Sequence, residues 1–196
     1  MTLAELTQAV YDITGRSDRT AETLTGIQAA TLKAHHQDYY FKDIFESGLN
    51  FGSAEFIQSL DYRALMPRWR ALKYLRKYDN AGQTPGMFLD VLIPELVLDR
   101  YKIEKTDICY VAGAYVQIKS STQEQYYLFG CYRNPDITTG NYDSWIALDH
   151  PFAIIYDAAA TVFKAIGKDE EAAAYRTLGQ EQRMMVATSN IVATGY

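Results

Sequence analysis

The sequence predicts an α+β protein: a helical bundle built from amino- and carboxy-terminal helix pairs, with a small antiparallel β region in the middle. Three observations carry this. Apolar residues recur at helical spacing in residues 2–15 and 18–37, and again in 149–166 and 169–188. Gly15 and Gly167 stand where such helices have to stop. Between the pairs the pattern shifts to short aromatic and β-branched runs, as strands require. At 196 residues the chain fits a single domain, divided into a helix pair (1–38), a β-rich middle (39–148), a second helix pair (149–188) and a tail arm (189–196).

Taking the elements in order, Thr2-Leu3-Ala4-Glu5 has capping-box spacing, and Leu3, Leu6, Val10 and Ile13 then form one helical face. Asp18 is placed to cap a second helix with Ala21, Leu24, Ile27, Thr31 and Ala34 along one side, and the Arg16-Ser17 link turns the two back on each other. Tyr39-Tyr40-Phe41 and Ile44-Phe45 make an aromatic exit, and Phe51 and residues 56–60 read as short strands. Pro67 precedes residues 68–78, assigned to a strand over a competing helical spacing, and turn residues make 79–87 a loop. Pro94 opens a helical turn. Residues 108–118 and 126–132 read as two strands, the first interrupted at Ala112-Gly113, joined by the polar link 119–125. Asp149 is the expected cap of the next helix, whose stripe is Phe152, Ile155, Ala159, Val162, Phe163 and Ile166. Asp169-Glu170-Glu171 then opens the last helix with the charge its dipole favours.

The net charge of −5 argues against general affinity for nucleic acid, whose binders carry a basic excess. Cys109 and Cys131 lie in apolar strand-like runs and match neither a disulfide framework nor a zinc motif, so they read as reduced core thiols. The first residues lack the basic and apolar regions of a signal peptide, and no stretch approaches the roughly 20 apolar residues of a membrane span. His35-His36 with Asp38 is the first metal candidate; His150 follows Asp149, which is better explained as a cap. Adjacent helical residues point about 100° apart, so a solvated helix end is the stronger reading. No nucleophile elbow or phosphate-cradling glycine loop appears, and the expectation is a non-enzyme with no metal and no cofactor.

What remains is contact chemistry. Arg63, Arg68, Arg70, Lys73, Arg76 and Lys77 interleave with Trp69, Tyr74 and Tyr78. Arginine with aromatics suits a protein interface or intrasubunit ion pairs. A solvated strand face competes with that reading, as does single-stranded nucleic acid held by residues 68–78. Sixteen tyrosines exceed what a core needs, and Tyr126 and Tyr127 join the contact set with Arg68, Trp69, Arg70, Tyr74 and Arg76. In the apolar tail, Ile191, Val192 and Tyr196 suit an arm that orders on a neighbour, against an ordinary frayed end. On this reading Trp69→Ala impairs assembly more than folding.

Three stretches carry a resemblance: Leu65-Met66-Pro67-Arg68-Trp69-Arg70 with Lys73-Tyr74-Leu75-Arg76; residues 126–132 running into Arg133-Asn134-Pro135; and Tyr142-Asp143-Ser144-Trp145-Ile146 leading to the last helices and residues 190–196. With the order of elements, they resemble the head-to-tail adaptor (connector) proteins of tailed bacteriophages. The resemblance implies a structural virion protein of the neck, present in the host cytoplasm during assembly. It implies a self-assembled ring, usually of twelve copies, beneath the portal protein and above the tail or nozzle proteins, sealing the junction while DNA passes without specific binding. Residues 190–196 would dock into the portal. Some members of the wider class degrade peptidoglycan, but no acidic dyad here supports carrying that over.

Overall fold

A computed structural model describes residues 1–79 and 84–194, and for Leu65, Asp79 and residues 191–194 the backbone alone. The chain divides into two compact units, a helical unit of Met1–Asp43 with Asn134–Tyr196 and a β unit of Ile44–Arg133 inserted between its halves.

In the helical unit, α1 (Leu3–Thr14) starts on the capping box predicted for it: Thr2 accepts from the Glu5 amide, and Glu5 reaches back to the Thr2 amide at 2.7 Å. Gly15 closes it in the left-handed conformation, φ 65°. The second helix, α2 (Thr20–His35), begins later than expected, with Arg19 rather than Asp18 at its cap. Asp18 instead pairs with Arg16, whose guanidinium holds its carboxyl at about 2. A short α4 (Trp145–Asp149) precedes α5 (Phe152–Ala165) and α6 (Asp169–Thr194). Ser144, not Asp149, is the cap in this region. It caps α4, while Asp149 ends that helix in an ion pair with Lys42 and Pro151 leads into α5.

The helical core forms around α5, against which α1, α2 and α6 all pack. Ala153, Ile154, Ile155, Ala158, Ala159 and Val162 are buried there with Leu6, Val10 and Ile27. Each large aliphatic side chain so buried contributes roughly 1.5–3 kcal/mol. Small residues set the spacing. A Cβ on Gly26 would lie 3.2 Å from the Ala158 carbonyl oxygen, and one on Gly179 only 2.7 Å from Asp157 Oδ1, so α2 and α6 approach α5 closely at these points.

The β region is neither small nor wholly antiparallel, and this overturns the predicted class. Strands β1 (Ile44–Asp61), β2 (Trp69–Asp79), β3 (Thr84–Val91), β4 (Ile108–Ala112) and β5 (Tyr115–Arg133) run in the order β1-β5-β2-β3-β4, and β4 pairs again with β5. The circuit β5-β2-β3-β4 is therefore a closed four-stranded barrel with β1 laid along the outside of β5. The one-turn helix α3 (Tyr62–Leu65) joins β1 to β2, and β3 pairs with β4 in parallel. The α+β protein is thus a helical unit plus a barrel with its own core, formed by Leu60, Met66, Leu75, Leu89, Cys109, Val116, Ile118, Tyr127, Phe129 and Cys131.

Residues 119–125 are not a link between strands. They are the middle of β5, which pairs with β4 through Lys119 and with β2 from Tyr126 onward. Ser121–Gln123 are exposed there, opposite the exposed Gly52–Ile57 stretch of β1, so this part lacks the apolar face that marks a strand. Residues 56–60 likewise belong to the single long β1, which bulges between Asn50 and Ile57 where Gly52 takes φ 81°. The hairpin β4–β5 turns at Gly113, φ 61°, as the Ala112-Gly113 interruption suggested. Within residues 79–87, positions 80–83 lie outside the described residues, and β3 already begins at Thr84.

Candidate functional site

The basic-aromatic run forms β2, and its side chains are engaged within the barrel. Arg68 occupies the turn before the strand with φ 66°, and Arg68 and Arg70 are half-buried. Trp69 stacks on Tyr62, with ring centroids 4.5 Å apart, and tilts against Phe129 at 5.3 Å, so it packs on the core. Lys73 lies over the Tyr132 ring and Arg63 pairs with Asp61. Tyr74 donates its hydroxyl to Glu46 and lays its ring over Gly130, where any Cβ would overlap it. Arg76 donates Nε to the Gly86 carbonyl at 2.7 Å and covers Phe88 at 4.8 Å.

Lys77 is buried, 4% exposed. Its ammonium donates to Asp107 at 2.5 Å and to Thr122 at 3.1 Å, tying β2 to the start of β4 and to β5. Burial raises the Asp107 carboxyl, but Lys77 and the Ser121 amide outweigh it and hold the group at about 2.

The predicted tyrosines separate. Tyr126 is half-buried and helps line an open groove of about 420 Å³ with Gly48, Asn50 and Tyr78. Its neighbour Tyr127 is 1% exposed, edge-on to Phe51 at 5.5 Å, and burial pushes its phenol up to about 12, so it serves the core. Ile191 and Val192 fall in the last turn of α6, which continues helically through the expected arm to Thr194, and Tyr196 lies outside the described residues. Of these ten residues, Arg68, Trp69, Arg70, Tyr74, Arg76, Tyr126 and Tyr127 belong to the β unit, and Ile191 and Val192 to the helical unit.

His35 is not at a solvated helix end. It is 1% exposed, with Nδ1 2.8 Å from Asp43 Oδ1 and Nε2 2.9 Å from Ser144 Oγ. With Nδ1 donating to Asp43, Nε2 is left to accept from the serine, the order of a Ser-His-Asp relay. The surroundings give it another role. Ser144 Oγ already accepts from the Ala147 amide as the cap of α4, and Asp43 also accepts from Trp145 Nε1 at 2.8 Å. Asp43 and Ser144 are 6% and 5% exposed, and the neighbouring cavity of about 180 Å³, bounded by Phe41, Trp145, His150 and Val186, is lined by neither Ser144 nor His35. The three residues clamp the end of α2, the turn at Asp43 and the start of α4. His36 points outward to Asn134 at 2.7 Å.

A second buried charge centre lies on α5. Asp157, 7% exposed, takes Arg183 from α6 and Lys33 from α2 at 3.0 Å. Among the described residues no group of three His, Cys, Asp or Glu side chains is placed to hold a metal ion, and no helix is long and apolar enough to cross a membrane. Cys109 and Cys131 are buried, and burial drives the Cys109 thiol up to about 12.

Sequence reasoning missed two groups of exposed apolar side chains. Met87, Phe88, Val91, Ile93, Leu96, Leu98, Tyr101 and Ile103 are each 45–68% exposed along one stretch of the β unit, and Leu178, Met184 and Met185 are 41–60% exposed on α6. The signal was present in the lack of period-two alternation over 91–103. Charge is divided as well: the helical unit holds 14 Asp and Glu against 8 Lys and Arg, and the β unit 10 against 11. No protein-family model matches the chain, and no curated protein is similar to it in sequence.

Proposed function

We propose that the chain is a structural virion protein that forms a ring between portal and tail, sealing the head-tail junction and letting DNA pass. The observation that carries this is the contrast between the polar centres and the apolar surface. The relay-like constellation of Ser144, His35 and Asp43 is closed off by its own helix cap, whereas large apolar side chains stand exposed along residues 87–103 and on α6. Such surface suits partner proteins rather than a small substrate. The adaptor resemblance of residues 65–76, 126–135 and 142–146 supplies the kind of partner, and the acidic helical unit supports a channel past which phosphates slide.

The alternative of a nucleic-acid-binding accessory protein draws less support. Of its basic run, Lys77 is buried on Asp107, Arg76 is committed to Gly86 and Phe88, and Arg63 to Asp61. Electron microscopy of the protein with its portal is the test. A ring bound at the portal is the expected result. A monomer that never joins the portal, or salt-dependent retention on single-stranded DNA lost on changing Arg68, Arg70 and Arg76, would overturn the proposal.

A further inference from the structure

We infer that the cleft between α2, α5 and α6 binds free hydrogen phosphate, which it distinguishes from sulfate by the proton that phosphate keeps. The site lies wholly in the helical unit and stands apart from the ring reading.

The cleft, of about 140 Å³, stays open because Gly26, Ala29 and Ala30 of α2 bring no long side chain to it. Lys33, Asp157, Thr161 and Arg176 complete its lining. Asp157 Oδ2 accepts from both Lys33 and Arg183, so one carboxylate answers two cations. Arg176 is exposed, and no carboxylate among the described residues pairs with it. The three cations therefore exceed Asp157 by two charges, in a unit that is acidic overall. Neighbouring turns do not restore the balance. Glu22, one turn before Gly26, is paired with Arg19. The positions one turn to either side of Arg176 are Ala172, Ala173, Gly179 and Gln180, and the charged residue one turn beyond Thr161 is Lys164.

Arg183 sharpens the imbalance. It is 4% exposed, its Nη1 meets Asp157, and its buried Nε has no hydrogen-bond partner among the described residues. A buried guanidinium that shares its one counter-ion with a second cation is short of negative charge, and burial strengthens the field it casts on the cleft beside it. An anion in the cleft supplies that charge.

The lining sets a second requirement. Thr161 donates its hydroxyl proton to the Asp157 carbonyl at 3.0 Å, and Asp157 Oδ1 accepts no hydrogen bond among the described residues. Both groups offer only lone pairs. The ligand must therefore be an anion that still owns a proton to donate. Free phosphate meets both conditions near neutral pH, with one P–O–H beside its charged oxygens. Sulfate has no proton, and a phosphodiester has none to give. A phosphate monoester, with a second pKa of about 6, has lost its last one by about pH 7.5. The same feature that selects phosphate thus turns away the nucleic-acid backbone.

The test is isothermal titration calorimetry of the full chain at about pH 7.5 and constant ionic strength, with sodium phosphate, sodium sulfate and glycerol 3-phosphate as probes. Saturable binding of phosphate is expected, with sulfate and glycerol 3-phosphate at least about tenfold weaker. Arg176→Gln changes an exposed side chain and should leave the circular dichroism spectrum and the melting temperature as they are. It should lower phosphate affinity at least about tenfold, as loss of a hydrogen bond to a charged group does. Lys168→Gln removes a cation that pairs with Glu171 away from the cleft lining, and should bind phosphate as the parent does. No saturable phosphate binding, sulfate bound as tightly as phosphate, or equal affinity in Arg176→Gln and Lys168→Gln overturns the assignment.

Discussion

Replacing Lys77 with methionine should destabilise the barrel while leaving the helical unit as it is. The change keeps most of the side-chain volume and removes the ammonium that binds Asp107 and Thr122. Removing one partner of a buried pair costs about 3–5 kcal/mol because the other charge is stranded. The Asp107 side chain is 21% exposed and keeps the Ser121 amide, so about 3 kcal/mol is expected here. The same pair sets an acid limb. The folded Asp107 carboxyl sits at about 2 against its usual 3.8, so its stabilisation is complete above pH 3.8 and is lost as pH falls toward 2. Allowing for partial exposure, this amounts to about 1–2 kcal/mol. Asp107→Asn, tolerated at φ 58°, should remove that limb. Urea unfolding in a Trp145→Phe background, where emission reports Trp69 in the β unit, measures both. A Lys77→Met variant within about 0.5 kcal/mol of its parent, or an acid limb unchanged by Asp107→Asn, would refute the reasoning.

Four further outcomes are expected. Gly130→Ala should destabilise the barrel because the new methyl meets the Tyr74 ring, and Gly130→Ala/Tyr74→Ala should cost less than the two single changes together, read by a double-mutant cycle. His35→Ala should cost about 2–4 kcal/mol in thermal unfolding, since it opens a cavity and leaves Asp43 and Ser144 without a shared partner. Ser144 should resist a fluorophosphonate probe in the native protein, and labelling at that residue would reopen an enzymatic reading. Trp69→Ala should impair folding of the barrel at about 3 kcal/mol or more, a larger folding cost than an effect mainly on assembly would give, because its ring packs between Tyr62 and Phe129.

Local chemistry was legible and distant pairing was not. The capping box at Thr2 and Glu5 and the Gly15 and Gly167 stops appear in sequence because their partners lie within one or two turns; the α5 stripe shows through its helical period at Ile155, Ala159, Val162 and Phe163, whereas Phe152, expected in it, is 50% exposed. The central part of β5 was invisible for the opposite reason: exposed on both faces beyond the barrel, it shows no alternation, and its strand character comes from pairing with β1. His35 looked solvated because the serine that buries it is 109 residues away. Lys77 read as part of a surface run because its carboxylate stands 30 residues on, in a left-handed turn no propensity announces. Contact surfaces were harder still. Trp69 and Tyr127 have the composition of an interface and serve the core, while the exposed apolar stretch along residues 87–103 carries no unusual residue at all.

The way the β unit is spliced into the helical unit has its own consequence. It begins at Ile44 and ends at Arg133, and Ile44 pairs directly with Tyr132, so the incoming and outgoing chains run as hydrogen-bonded neighbours about 5 Å apart. A cassette with its two ends side by side can be lifted out and the gap bridged by a short turn, or exchanged for another fold whose ends meet in the same way. The β unit thus enters and leaves the chain of the helical unit at a single point, between two paired strands.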